Sequence, residues 1–178
     1  MKRFIMFFSL FILVLTGAAA QAAELTFTFT RQSGSASNQY AVWIEDALGN
    51  YIKTLSATRY TANGGYKVRP SSVPQWVKKS GLSGFSKSQV DAVTSATPRN
   101  GNVICRWDGT DSKGAAVPAG AYVLILEGTL RNDNQVYYRA PFRAGQGAAA
   151  APVSVEYTGP GAEKEKSMIS DVKVRVLR

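Results

Sequence analysis

The sequence predicts an all-β chain: an antiparallel sandwich of seven or eight strands with a small helical insertion over residues 60–100. Three observations predict it. Apolar and polar residues alternate with a period of two along many short stretches, as in strands that bury one face. Turn signals such as Leu48-Gly49-Asn50 and Asn132-Asp133-Asn134 separate these stretches, the punctuation of hairpins. The segment 60–100 breaks the rhythm and carries two helix starts instead.

Ahead of the first strand lie a basic pair, Lys2-Arg3, an apolar run from Phe4 to Leu15 and the small-residue pattern Ala20-Gln21-Ala22. This order reads as a secretory signal peptide over residues 1–22, cleaved on export. The apolar run is too short to cross a membrane comfortably, and no later stretch reaches the ~18 consecutive apolar residues of a transmembrane helix. The expectation is an exported protein that does not span the membrane. About 156 residues remain, enough for one domain, residues 23–178, to bury a core without disulfides. Cys105 is the only cysteine, so no internal disulfide forms.

The first strand is expected where Leu25, Phe27 and Phe29 alternate with Thr26, Thr28 and Thr30. Similar runs follow at Tyr40 to Glu45, Tyr51 to Thr58, Asn102 to Trp107, Ala121 to Leu130 and Gln135 to Arg143. Two more stand at Val153 to Tyr157 and Val172 to Leu177. Gly145 to Pro152, rich in alanine and glycine, reads as a long flexible connection. Cys105 shares a strand face with Val103 and Trp107, which makes it a buried small hydrophobe.

Within the insertion, Ser72 and Gln75 have capping-box spacing ahead of a helix that passes through Trp76 and Val77 and stops at Gly81; Ser86 and Gln89 repeat the device. Phe85 and Val90 have the spacing of a hydrophobic staple. Helices this short do not persist in water alone, so Trp76, Val77, Phe85, Val90 and Val93 are expected to rest against the sandwich.

Charge is concentrated in the same segment. Loss of Lys2 and Arg3 lowers the formal net charge from +9 to +7. Between Arg59 and Arg99 stand seven basic residues, Arg59, Lys67, Arg69, Lys78, Lys79, Lys87 and Arg99, against one acid, Asp91. Such a patch attracts anions, an acidic protein or an anionic surface among them, or is simply a solvated face; export argues against nucleic acid. With no histidine in the chain, Ser-His-Asp and Cys-His catalysis, His-containing zinc sites and His-ligated haem are excluded. A catalytic or metal site is not expected.

The stretch Asp91-Ala92-Val93-Thr94-Ser95-Ala96-Thr97 carries the candidate chemistry. Asp91 falls in the last turn of the second helix, where the carbonyl end of the helix dipole disfavours a carboxylate. Pro98 biases Thr97 towards an extended backbone, and Ser95 and Ala96 are small enough to allow close approach. From spacing alone, Thr94 to Pro98 also reads as a Ser/Thr loop ending a helix, with Asp91 bonded to a nearby lysine. The stretch resembles a flavin-attachment motif, an Asp followed by Ser or Thr, then Gly-Ala-Thr, in which a flavin transferase esterifies FMN onto the last Thr. The resemblance assigns Thr97 as acceptor, with Asp91, Thr94, Ser95 and Ala96 around it; Ser95 stands where the motif has Gly. Tyr60, Tyr66, Trp76 and Phe85 form either a platform for the isoalloxazine ring or the insertion's own core.

The second motif is Trp107-Asp108-Gly109-Thr110-Asp111-Ser112-Lys113-Gly114, followed by Val117-Pro118-Ala119-Gly120-Ala121-Tyr122. It is similar to a turn of the immunoglobulin-like domain of flagellar hook-capping proteins. Its residues read as structural: turn geometry from Asp-Gly and Lys-Gly, core anchors in Trp107 and Tyr122. Asp108 and Asp111 lack the oxygen ladder and distal Glu of a calcium loop.

Together with Tyr40 to Asp46 and Trp76-Val77-Lys78, these stretches resemble the domain of unknown function 2271, a family of predicted periplasmic proteins, from Glu24 to the C-terminus. The resemblance implies the periplasm and an association with flavin transferases and membrane-embedded reductases. The expectation is an immunoglobulin-like, non-catalytic accessory protein that carries FMN as an electron-transfer partner. The alternative is a flavin-free module that binds a protein or an anionic envelope component.

Overall fold

The computed structural model describes residues 22–32, 37–95 and 100–177, with backbone only at Ser95. Eight strands of five or more residues carry the architecture: β1 (Ala23–Thr30), β2 (Gln39–Asp46), β3 (Tyr51–Thr58), β5 (Asn100–Trp107), β6 (Gly120–Thr129), β7 (Gln135–Ala144), β9 (Ser154–Thr158) and β10 (Ile169–Val176). Two short ones, β4 (Thr94–Ser95) and β8 (Ala149–Ala151), complete two sheets of order β5-β1-β10-β8 and β4-β3-β2-β6-β7-β9. All pairings are antiparallel except β3 with β4.

The order is immunoglobulin-like. In that fold, strands A, B and E lie side by side in one sheet and C, F and G in the other, with C′ beside C. Here β1, β2, β3, β5, β6 and β7 occupy the places of B, C, C′, E, F and G, and β10 stands beside β1 where A would, with the short β8 beyond it at the edge. At the start of β6 the Tyr122 hydroxyl donates to Pro118 O at 2.7 Å, the tyrosine corner of the fold. The long excursion between β3 and β5 is the insertion. It contains α1 (Arg59–Ala62), α2 (Pro74–Ser80) and α3 (Lys87–Val93).

The period of two decides the core. Leu25, Phe27 and Phe29 of β1 meet Tyr40, Val42 and Ile44 of β2 and Leu124 and Leu126 of β6 between the sheets. Phe27 packs edge-on to Tyr40, ring centroids 5.1 Å apart. Trp107 closes the other end against Tyr122 at 5.2 Å and Phe142 at 5.7 Å, and its indole N–H donates to Thr110 O at 2.8 Å. Cys105 is buried in this core, and burial pushes its thiol up to about 12.

The outer face of the six-stranded sheet is apolar as well. Ala41, Trp43, Ala57 and Ile125 point outward and pack against Ala62, Val73, Trp76 and Leu82 of the insertion. Val77, Phe85, Val90 and Val93 add partly buried contacts. The sheet is therefore covered on both faces, and β2 is buried along nearly its whole length.

Two local expectations are corrected. Ser72 does not cap α2: the residue before the helix is Val73, held at φ 41°, and Ser72 Oγ has no hydrogen-bond partner among the described residues. The cap comes from the sheet instead. Glu127 of β6 accepts from Gln75 N–H at 3.0 Å and Trp76 N–H at 2.7 Å. Nor is Gly145 to Pro152 wholly a loop, because Ala149–Ala151 pairs with β10. The other signals hold. Gly81 ends α2 at φ 66°, in the left-handed region that glycine enters freely, and Ser86 and Gln89 form the expected reciprocal capping box of α3.

Candidate functional site

The insertion and the sheet leave a cleft of about 490 Å³ between them, within the range of small-molecule sites. Tyr51, Lys53 and Thr54 of β3 form its floor; Ser80, Gly81, Gly84 and Phe85 form one side, and Gln89, Ala92 and Val93 of α3 form the other. Ser112 closes the end nearest the Trp107–Gly114 turn.

Each wall has a local cause. Tyr51 is fixed from behind: its hydroxyl lies 2.8 Å from Thr54 Oγ1 and accepts from Thr54 N–H at 2.8 Å. Lys53 is fully engaged. Its ammonium donates to Asp108 Oδ1 at 2.9 Å, Asp108 Oδ2 at 3.0 Å and Thr110 Oγ1 at 2.6 Å. Burial raises the Asp108 carboxyl, but Lys53 and the Thr110 hydroxyl and N–H outweigh it and hold the group at about 2. Asp111 accepts from Lys113 N–H at 2.8 Å and Ala115 N–H at 2.9 Å. Both acids of the turn thus do structural work, and the turn is tied to β3 beneath the cleft.

The attachment-like stretch begins on the cleft's rim. Ala92 and Val93 line it, while Asp91 is exposed in the last turn of α3 and makes no ion pair among the described residues. The Thr94 hydroxyl donates to Asp91 O at 3.3 Å, closing the helix end. Thr94 and Ser95 then pair in parallel with Ala57 and Thr58. Ala96 and Thr97 lie outside the described residues, as do Pro98, Arg99 and residues 1–21 of the signal-like segment.

Of the two readings of the four aromatics, the insertion's own core describes Trp76, Tyr66 and Phe85, which pack in one cluster. Trp76 is fully buried and donates its indole N–H to Thr54 Oγ1 at 2.8 Å. Tyr60 lies on a separate shallow surface with Arg59 and Val68. Phe85 alone of the four lines the 490 Å³ cleft, together with Tyr51, which the sequence marks only as a strand residue. A smaller cleft of about 260 Å³ lies on the other side of Phe85, lined by Tyr66, Lys67, Lys87 and Val90.

The basic cluster divides. Arg69 donates to Asp133 Oδ1 at 2.8 Å and Ser37 O at 2.9 Å, and Lys79 reaches Glu45 Oε1 at 3.1 Å and Gly49 O at 2.6 Å. These two hold the insertion to the sheet. Arg59, Lys67, Lys78 and Lys87 are exposed.

The most consequential polar residue has no local signal. Glu127 is fully buried on the sheet's outer face, where desolvation pushes its carboxyl up to about 7 against the pull of Trp76 N–H, Gln75 N–H and the Tyr137 hydroxyl. Its only trace in the sequence is an acid in an otherwise apolar strand.

The family described as "Predicted periplasmic protein (DUF2271)" matches residues 21–160. The chain belongs to this family. The DUF2271 match takes in the six-stranded sheet, β1, β5 and β8 of the other sheet, the insertion and the cleft, and stops before β10. No curated protein and no solved structure matches the chain. Among the described residues, no helix of this DUF2271 protein is long and apolar enough to cross a membrane.

Proposed function

We propose that this protein acts in the periplasm as a non-catalytic electron-transfer accessory, carrying FMN esterified to Thr97 and serving an envelope reductase. The observation that carries this reading is the presentation of the motif. Asp91 is exposed, at a helix end that electrostatically disfavours it. The chain then leaves α3 along the rim of the cleft to a two-residue anchor on β3. A modifying enzyme meets Asp91 from solvent, without opening the core.

The residues at the cleft fit a flavin. Tyr51 and Phe85 give its lining two aromatic rings, and Lys53, Thr54, Ser80, Gln89 and Ser112 give it polar side chains. Bound flavin supplies one- and two-electron exchange; the chain's residues hold and shield it, and Asp91 positions the stretch for modification. Its partners on this reading are a flavin transferase and a membrane-embedded reductase.

A second reading has its own observation. Lys67 and Lys87 flank the smaller cleft with Tyr66 and Phe85, a combination suited to an acidic side chain on a partner protein in a flavin-free interaction module. Charge reversal of both lysines weakens such binding, most at low salt.

Intact-mass measurement of the exported chain, co-expressed with an active flavin transferase, tests the first reading. The mature chain begins near Ala23 and gains the mass of FMN less one water; Thr97→Ala abolishes the gain, and Thr94→Ala and Ser95→Ala leave part of it. A natural chain that stays unmodified beside a modified Ser95→Gly variant has lost the cofactor. If neither is modified, the interaction module takes its place.

A further inference from the structure

We infer that the 490 Å³ cleft is the seat of the flavin's three-ring system, which lies between Tyr51 and Phe85, with the phosphate end outside. This rests on the attachment reading above and adds where the ring goes and what holds it.

The chemistry of the walls selects a planar, hydrogen-bonding aromatic ring over an anion. Lys53 is the only cation among the lining residues, and its ammonium is already shared between Asp108 and Thr110. It therefore offers the cleft its aliphatic stem, not free charge. Tyr51 and Phe85 supply aromatic surface, and Ala92 and Val93 close it with small apolar groups. The Tyr51 ring is already immobilised through its hydroxyl, so little freedom is lost when a second ring packs on it.

Polar side chains complete the lining. Ser80, Ser112 and Gln89 border the cleft, and Gln89 Oε1 accepts from Ser86 N–H at 2.8 Å, which leaves its amide nitrogen to donate to the polar edge of a ring.

Chain continuity makes the seat reachable. Ser95 is paired to β3, and Thr97 is two residues further on, a span of at most ~7 Å. A short tether gives an effective concentration in the millimolar range, so weak intrinsic affinity is enough to keep the ring seated.

Gly84 provides a clean block. It lines the cleft, and a Cβ built there meets no atom within 4 Å, so Gly84→Leu adds bulk at the cleft without a clash at its Cβ. The experiment titrates trace lumiflavin, the ring system without the phosphate, with unmodified mature protein to millimolar concentration and follows flavin fluorescence. The natural chain quenches it saturably. Gly84→Leu weakens binding at least tenfold at an unchanged melting temperature, and Ala92→Leu, on the opposite wall, does the same should the first variant melt early. Absence of saturable quenching by the natural chain, or equal quenching by the blocked variants, overturns the seat. Covalent loading is read separately by mass: a chain that gains FMN yet ignores lumiflavin keeps the attachment and loses the seat, and one that binds lumiflavin without gaining mass does the reverse.

Discussion

The two halves of the insertion are held in opposite ways. The stretch from Arg69 to Trp76 is bolted to the sheet by buried polar groups. Thr129 Oγ1 accepts from Val73 N–H at 2.9 Å and donates to Ser71 O at 2.7 Å, Gln135 donates to Ser71 O at 2.8 Å, and Glu127 caps α2. These bonds are strong enough to keep Val73, a β-branched residue, in the left-handed region. The second half, α3 with β4, has no fully buried residue in its helix and stabilises its start with its own Ser86–Gln89 box. One half depends on residues more than fifty positions away and the other on its own sequence. The attachment-like stretch belongs to the lightly held half, in keeping with the rule that elements which bind or are modified come from the less stable end of a fold.

Substitutions that release one half at a time sharpen this contrast. The largest effect belongs to the scaffold both halves share: Trp107→Ala removes a fully buried ring and is expected to lose ~3–5 kcal/mol, read as an early chemical denaturation midpoint. Amide exchange would then quicken in α2 and α3 alike. Next is Glu127→Ala, which leaves two buried amide N–H groups unpaired at a cost of about 1–3 kcal/mol and is expected to expose Trp76 fluorescence while α3 keeps its exchange rates. Protection lost equally in both helices would show that the halves are one unit.

The same carboxylate gives a pH signature. Burial raises its folded value from 4.5 to about 7, so the folded chain binds this proton more tightly than the unfolded chain. Its contribution is full below about 4.5 and is lost as pH rises through about 7. Melting temperature should decline across that window, and Glu127→Gln should flatten the decline. The smallest effect is Ser86→Ala, worth about 0.5–1 kcal/mol as a lost cap on an exposed helix. Faster exchange confined to α3, with α2 unchanged, is the expected result.

What the sequence discloses follows the range of the forces involved. Alternation along Leu25–Phe29 and the Ser86–Gln89 pair are local, and both are legible in the order of residues alone. The Ser72–Gln75 spacing is equally good as a pattern, yet Glu127, fifty-two residues from Gln75, offers two acceptor oxygens to adjacent helix N–H groups where a serine hydroxyl offers one. Ala149–Ala151 carries no alternation, so its pairing to β10 leaves no trace. The site is half legible. Asp91 and its neighbours stand out in one stretch, but the cleft does not, because Tyr51 and Phe85 come to line one cleft only when the insertion folds back over β3.

The strand β10, which joins β1 to β8, governs when the four-stranded sheet is complete. β1 is central in its sheet, and its partners on the two sides are β5 and β10, with Ala23 beside Val176. A contact between the first and last strands must close nearly the whole chain as one loop, a slow search of high contact order. The first strand made therefore waits for the last one made. Until β10 arrives, one side of β1 presents unpaired backbone, the kind of open edge that recruits another chain. Truncation ahead of Ile169 would turn a closed sandwich into a self-associating one.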